Sequence, residues 1–240
     1  MPHALKQAHP TNASKLGKYR PAPPVHRMTQ LRRWGTAWEQ RAPRPGEQVV
    51  VAVDATGMSI TRVGGWAMDK PNSTDHRRGK YNKLHTVVDS ATGEILAWEL
   101  TGAKGAGSGD CTVGPHLLNG AGWDVRAVCG DGAYGTAAMF AASARLHAKL
   151  LTPLPSNAVY NTCAARNELL TQQSRIGRKV WKSRSGYHAR SPVEAVYATT
   201  GRQGGGNRLR NRTPATKDVE MALKVALHNM TRVARMAVAG

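Results

Sequence analysis

The longest β-branched run, VVVAV at residues 49–53, is apolar throughout and ends on an aspartate, Asp54. Continuous rather than alternating, it predicts a strand buried on both faces. KLHTVVD and EILAWEL are two further runs separated by SATGE, whose Gly93 predicts a hairpin. TRVGGWAMD, residues 61–69, predicts another strand, since its glycines allow a turn. VRAVCGD, 125–131, is a second buried-type strand, again ending on an aspartate, and AKLLTPLP predicts a short later one. Helical spacing appears elsewhere. Thr136 is placed to cap a helix over TAAMFAASARLHA with Ala137, Phe140, Ala141 and Ala144 on one face. CTVGPHLLNGAG holds a helical turn, and RNELLTQQSRIGRKVW predicts one helix. Another begins at Ser191, with Pro192 at its first position and Glu194 where a capping-box carboxylate reaches back. TKDVEMALKVALHNMTRVARMAVA carries Val219, Leu223, Ala226, Leu227, Met230 and Ala234 in one stripe, which predicts a C-terminal helix packed by that stripe. Antiparallel strands, then strand–helix–strand, then helices predict an α/β fold: a mixed sheet with helices on its faces.

Order is expected from about Gln48. Residues 1–47 mix proline, arginine and tryptophan without a period, apart from a short helix allowed around MTQLRRWGTAWEQ; PAPPV and RAPRPGEQ read as linkers or arms. The expected organisation is therefore a basic arm, 1–47, and one domain, 48–240, long enough to bury a core.

Charge changes this picture more than composition does. The net charge is +19. Residues 1–48 hold nine lysines and arginines against two acids, 49–174 eleven against ten, and 175–240 fourteen against three. A near-neutral middle flanked by two basic blocks suits a polyanion, because cations that neutralise phosphates release counterions. The alternative is a pair of solvated basic segments without a partner. Three cysteines, odd in number and without Cys-x-x-Cys spacing, argue against a disulfide framework or a cysteine-rich zinc site. The N-terminus lacks the apolar stretch of a signal peptide, and VVVAV is too short to span a bilayer, so a cytosolic, bacterial-type protein is expected.

The candidate chemistry lies in carboxylates. Asp54 and Asp131 each lie at the C-terminal end or in the late part of an apolar strand and precede a turn. An aspartate there either bonds its own turn or, needing a cation to offset burial, holds a metal. Glu194 is either a helix cap or a third ligand. Three acids from distant parts of the chain would suffice to hold two magnesium or manganese ions, hard cations that take carboxylate oxygen and can clamp an in-line displacement at phosphorus. Asp89 reads as a turn residue, Asp110 has no assigned role, and the histidines lack zinc spacing. Arg77, Arg78, Lys80 and Lys83, in DHRRGKYNK, are placed on a loop or hairpin that either contacts DNA backbone or is simply exposed.

VDATG around Asp54, GKYNKLHTVVDSATGEILAWELT, GDGAYG around Asp131 and RNELL…GRKVWKSRSGYHARSPVEAVY, in this order, resemble the DDE transposases of bacterial insertion sequences. The branch is the one marked by Tyr-x-x-Arg-x-x-x-Glu, matched here by Tyr187, Arg190 and Glu194, and the resemblance covers about residues 48–240. It implies a ribonuclease-H-like core with Asp54 on the first strand, Asp131 after the fourth and Glu194 on a later helix, together holding two Mg2+ (or Mn2+) ions. It further implies DNA contacts by Tyr187 and Arg190, cleavage at terminal inverted repeats of double-stranded DNA, joining of the 3′-hydroxyl to target DNA, and a homodimer on DNA. The chain departs from the family pattern where a lysine is expected seven residues after the glutamate: Gly201 stands there, with Arg202 beside it as a substitute phosphate contact. A remnant that binds DNA without cutting, and a two-metal nuclease with another substrate, are the competing readings.

Overall fold

A computed structural model of the chain describes residues 48–60, 81–103, 107–120, 122–203 and 207–239. The basic arm, the strand expected at 61–69 and the cations Arg77, Arg78 and Lys80 lie outside the described residues.

Strand β1 (Val49–Ile60) is central, flanked antiparallel by β2 (Tyr81–Asp89), which pairs with β3 (Ile95–Gly102). On its other side β1 runs parallel to β4 (Val125–Gly130), which pairs with β5 (Lys149–Leu151). The order is β3-β2-β1-β4-β5, with a two-residue β6 (Arg208–Leu209) beside the far end of β1. This is the ribonuclease-H-like arrangement. The β1–β4 register ends at Val53↔Gly130, yet β1 continues to Ile60 paired with β2. Asp54 therefore sits inside a long strand rather than at its end, where its two neighbours diverge.

Both faces of the sheet are covered, which is why VVVAV is apolar without alternation. Val51 and Val53 face a core shared with α1 (Asp110–Asn119), α2 (Ala137–Arg145) and α3 (Ala164–Ile176). Ala52 and Met58 face a second core closed by α5 (Pro192–Gln203) and α6 (Pro214–Ala239). The expected turn in CTVGPHLLNGAG is a full helix, α1 (DCTVGPHLLN), and Gly177, at φ 78°, breaks the expected single helix into α3 and a short α4 (Arg178–Arg184). No helix among the described residues is long and apolar enough to cross a membrane.

Two helices bury faces other than those expected. Thr136 does cap α2, accepting from the Met139 amide, but Met139, Phe140, Ala142 and Ser143 are buried while Ala137, Ala141 and Ala144 are exposed. In an alanine-rich helix the larger Met139 and Phe140 decide which side meets the core. In α6 the expected stripe points outward: Val219, Leu223, Leu227 and Met230 are exposed. The helix is seated by Met221 and Val225 together with polar groups. Asn229 accepts from the Ile95 amide and donates to the Ile95 carbonyl, both at 2.9 Å. His228 Nε2 meets the Gly93 carbonyl, and Arg232 Nε donates to the Thr92 carbonyl at 2.8 Å. The backbone of the β2–β3 turn and the first residue of β3 needs partners, and side-chain hydrogen bonds to it outweigh the apolar stripe. Asn229→Ala should cost about 1–3 kcal/mol, read as a lower urea midpoint with an unchanged slope.

Glu99, on the edge strand, is 3% exposed, and neither carboxylate oxygen finds a hydrogen-bond partner among the described residues. Burial, and secondarily the charge of Asp218, pushes its pKa from 4.5 up to about 7. A carboxyl raised in this way favours the fold while protonated. That contribution is whole below pH 4.5 and is lost as pH rises through about 7. The loss is about 3 kcal/mol. Glu99→Gln should therefore be progressively more stable than the parent between about pH 5 and pH 8 in thermal melts; a difference independent of pH would count against this.

Candidate active site

Three segments converge where β4 ends and β1 continues. The first contributes Asp54, whose Oδ1 accepts from the Ala55 amide at 2.9 Å. The second contributes Asp131, immediately after β4, whose Oδ1 accepts from the Ala133 amide at 2.9 Å and starts a short 3-10 turn, Gly132–Tyr134. Each aspartate thus spends one oxygen on its own turn, as the simpler reading of the sequence expected, and keeps a second oxygen for other partners. The Asp131 turn is pinned from two sides: Thr152 Oγ1 donates to the Asp131 carbonyl, and the buried Tyr134 ring fills the space beside Gly130 and Gly114. A β-carbon on Gly130 would meet Tyr134 at 2.9 Å and one on Gly114 at 2.8 Å, so both positions must lack one for the ring to fit.

The third segment is the 3-10 turn Tyr187–Arg190 running into α5. Ser191 has helical dihedrals, φ −52° and ψ −37°, not the extended ones of an N-cap. The helical path therefore passes through it, changing type at Pro192, and the capping-box reading of Glu194 fails. Glu194 is paired instead with Arg190, whose Nη1 donates to Oε1 at 3.3 Å, while Nη2 of the same guanidinium donates to Asp54 Oδ2 at 2.6 Å. Tyr197, one turn along α5, bonds Thr86 on β2 at 2.8 Å and fixes the helix over the sheet.

The electrostatics follow from this crowding. Burial raises the Asp54 pKa; the Ala55 amide and Arg190 oppose it, and the Asp131 charge adds to it. Burial alone would lower that of Arg190, but Asp54, Tyr187, Asp131 and Glu194 together hold it above its ordinary value. Burial also raises the Tyr187 phenol, leaving it a neutral hydrogen-bond donor. Asp54 is 14% and Arg190 20% exposed in their side chains, whereas Glu194 is 70% exposed, so the first pair is strong and the second weak.

A family model described as "Transposase DDE domain" matches residues 45–230. The chain belongs to that family. The match spans every strand described and most of α6, so the shared fold and the crevice at Asp54 and Asp131 fall within the transposase domain.

The family uses divalent metal ions. The donor set suits them: three carboxylates supply hard oxygen ligands, and Asp54 and Glu194 already hold a cation, the Arg190 guanidinium, between them. Among the described residues no three carboxylate, histidine or cysteine side chains converge closely enough to bind a metal as they stand. In this conformation the arginine neutralises two of the three acids.

Other sequence candidates are distributed as follows. Asp89 is a turn residue, accepting from the Ala91 amide at 2.8 Å and from Thr92 Oγ1 at 2.9 Å. Lys83 lies in β2, not in a loop, and pairs with Asp110 at 2.8 Å; buried His85 approaches the same carboxylate at 3.3 Å. No sequence spacing links these three; only strand pairing beside α1 does. Arg202 falls on α5, with its side chain outside the described residues. Sequence reasoning passed over the cations of α4, Arg178, Lys179, Lys182 and Arg184, which directly precede Tyr187. The signal was the excess of fourteen cations over three acids after residue 174, counted but not localised.

Removing the guanidinium as Arg190→Met leaves Asp54 half-enclosed without its cation. The expected loss is about 3 kcal/mol at neutral pH. It should shrink as pH falls through the raised pKa of Asp54, because the protonated acid no longer needs a cation. Urea unfolding at neutral and acid pH reads this; an equal loss at both would mean that Arg190 packs rather than neutralises.

Proposed function

We propose that this transposase cleaves DNA at the terminal inverted repeats of an insertion sequence and joins the freed 3′-hydroxyl to target DNA, with Asp54, Asp131 and Glu194 as its metal ligands. The supporting observation is the single guanidinium of Arg190 held between Asp54 and Glu194, beside the strand end that carries Asp131. Two acids from separate parts of the chain share that cation, and the charge of Asp131 also acts on it. Tyr187, Arg190 and Glu194 fit the Tyr-x-x-Arg-x-x-x-Glu branch of the family.

When bound, two Mg2+ or Mn2+ ions would activate the attacking oxygen and stabilise the leaving oxygen of an in-line displacement at phosphorus. The protein's own part is to present Asp54 and Asp131 from a rigid sheet and Glu194 from a helix. Arg190, freed from the carboxylates, is long enough and fully charged, and so suits a phosphate oxygen. Tyr187, kept neutral by burial, donates a hydrogen bond to the same group. Arg202, Arg77, Arg78 and Lys80 are assigned to the DNA backbone. The arm at 1–47 is read as a basic DNA-contacting segment preceding the catalytic domain at 48–240, and a homodimer on DNA would pair two ends.

One observation favours a second reading, a DNA-binding remnant that does not cut. Gly201 stands where the family pattern has lysine, and a β-carbon there would lie 2.7 Å from Asn207 Oδ1. In this chain that position is packed against Asn207, and no cation reaches out from it.

Nicking of DNA carrying the gene's own flanks, with magnesium or manganese, separates the two readings. The parent should cut at the flanks and Glu194→Gln should lower the rate at least about a hundredfold, with DNA affinity retained. Salt-dependent binding by both proteins and cutting by neither would support the remnant.

A further inference from the structure

α4 presents almost everything it has to solvent. Of its seven residues only Trp181 is buried, at 4% exposure, and Arg178, Lys179 and Arg184 are exposed, as is Arg175 just before the Gly177 break. Between Glu168 and Glu194 the sequence contains no acid and six lysines and arginines. A seven-residue helix has little stability of its own, and this one is held by one anchor. The Trp181 ring packs against the ring of Tyr187 at 6.0 Å between centroids, and Lys182 Nζ lies 5.3 Å from the centroid of the same Tyr187 ring. Trp181 also belongs to the core beneath the sheet, with Tyr187 packed against it. The basic surface is therefore fixed in place, one residue pair from the turn that carries Arg190.

Acid-free and mounted on the segment next to the carboxylates, this surface has one chemical use. We propose that the exposed face of α4, through Arg178, Lys179 and Arg184, with Lys182 at its edge, is a phosphate-binding track for duplex DNA entering the Asp54–Asp131–Glu194 crevice. This rests on the reading of that crevice as a DNA-cleaving site. The track holds backbone and not bases: its cations lie on a short convex helix whose contacts are set by charge, so its contribution is independent of sequence and falls with salt. Trp181 and Tyr187 act as positioning residues that set the distance between the track and the reacting phosphate.

The test compares two triple variants that lose the same charge. R178Q/K179Q/R184Q removes the track. R126Q/R145Q/K149Q removes three exposed cations from the start of β4, the end of α2 and the start of β5, away from the carboxylates. Fluorescence anisotropy follows binding to a labelled duplex carrying the gene's flank, and to an unrelated duplex of equal length, over a range of KCl. The track variant should lower the slope of log affinity against log salt by about 2.7 on both duplexes, the sum for three phosphate contacts, while the control variant stays near the parent. Equal reductions in the two triples would overturn the track, since bulk charge would then explain both. Should the track triple melt early, the single variants R178Q and R184Q carry the test, each expected to lower the slope by about 0.9 and each counting against the track if the slope is unmoved. A parent that cuts while the track variants keep the full slope defeats the track and leaves the catalytic reading standing. A track variant that loses the slope in a protein that never cuts leaves the track standing and defeats the catalytic reading.

Discussion

The parallel pairing of β1 with β4 stops at Gly130, while β1 runs on for seven more residues beside β2. The candidate site depends on that mismatch of strand lengths. It sets Asp54 and Asp131 next to each other across neighbouring strands, and it leaves open the flank of β1 into which the Tyr187–Arg190 turn fits. A continuous pair at this point would close the crevice, as ladder hydrogen bonds would occupy the edge. The glycines around Tyr134 serve the same end. They let a large buried ring sit where β4 turns, and so hold Asp131 at a fixed height.

Crowding carboxylates in a half-buried crevice is unfavourable unless positive charge enters with them. Arg190 provides it, spanning from the turn before α5 back to the central strand, 136 residues earlier in the chain. The same ion pair couples the helical layer to the sheet mechanically. Its strength is uneven, tight and sheltered at Asp54 but open to water at Glu194, so Glu194 is the carboxylate that exchanges partners at least cost.

Beyond the crevice, positive charge is arranged by segment. The sheet and the helices α1 and α2 are close to neutral, while the part of the chain from α4 onward is heavily cationic. A basic exterior attached to a neutral core lets the core pack by apolar burial while the cations remain hydrated until a polyanion displaces their counterions. The domain thus leaves apolar burial to its near-neutral part and keeps most cations apart from it, except at Arg190, which is half-buried against Asp54.

Much of this was legible in the residues. VVVAV is a buried strand because an unbroken apolar run of that length has few other stable fates, VRAVCG is buried apart from the exposed Arg126, and the Gly93 hairpin follows from turn chemistry. Asp89 was readable as a turn residue for the same local reason. Local signals misled where two contacts compete for one residue. Ser191 and Glu194 form a plausible cap in sequence, yet Arg190 claims the glutamate. The apolar stripe of α6 predicts a buried face, yet Asn229, His228 and Arg232 turn the helix by bonding the backbone of the β2–β3 turn and of Ile95. By itself the sequence determined most of the elements, the two aspartates that follow apolar strand runs and the basic character of the second half, because these rest on burial and backbone geometry within a few residues. Only the tertiary structure decided which face of each helix is inside, that one guanidinium joins Asp54 to Glu194, and that α4 stands beside them, because each of these depends on contacts between residues far apart in the chain.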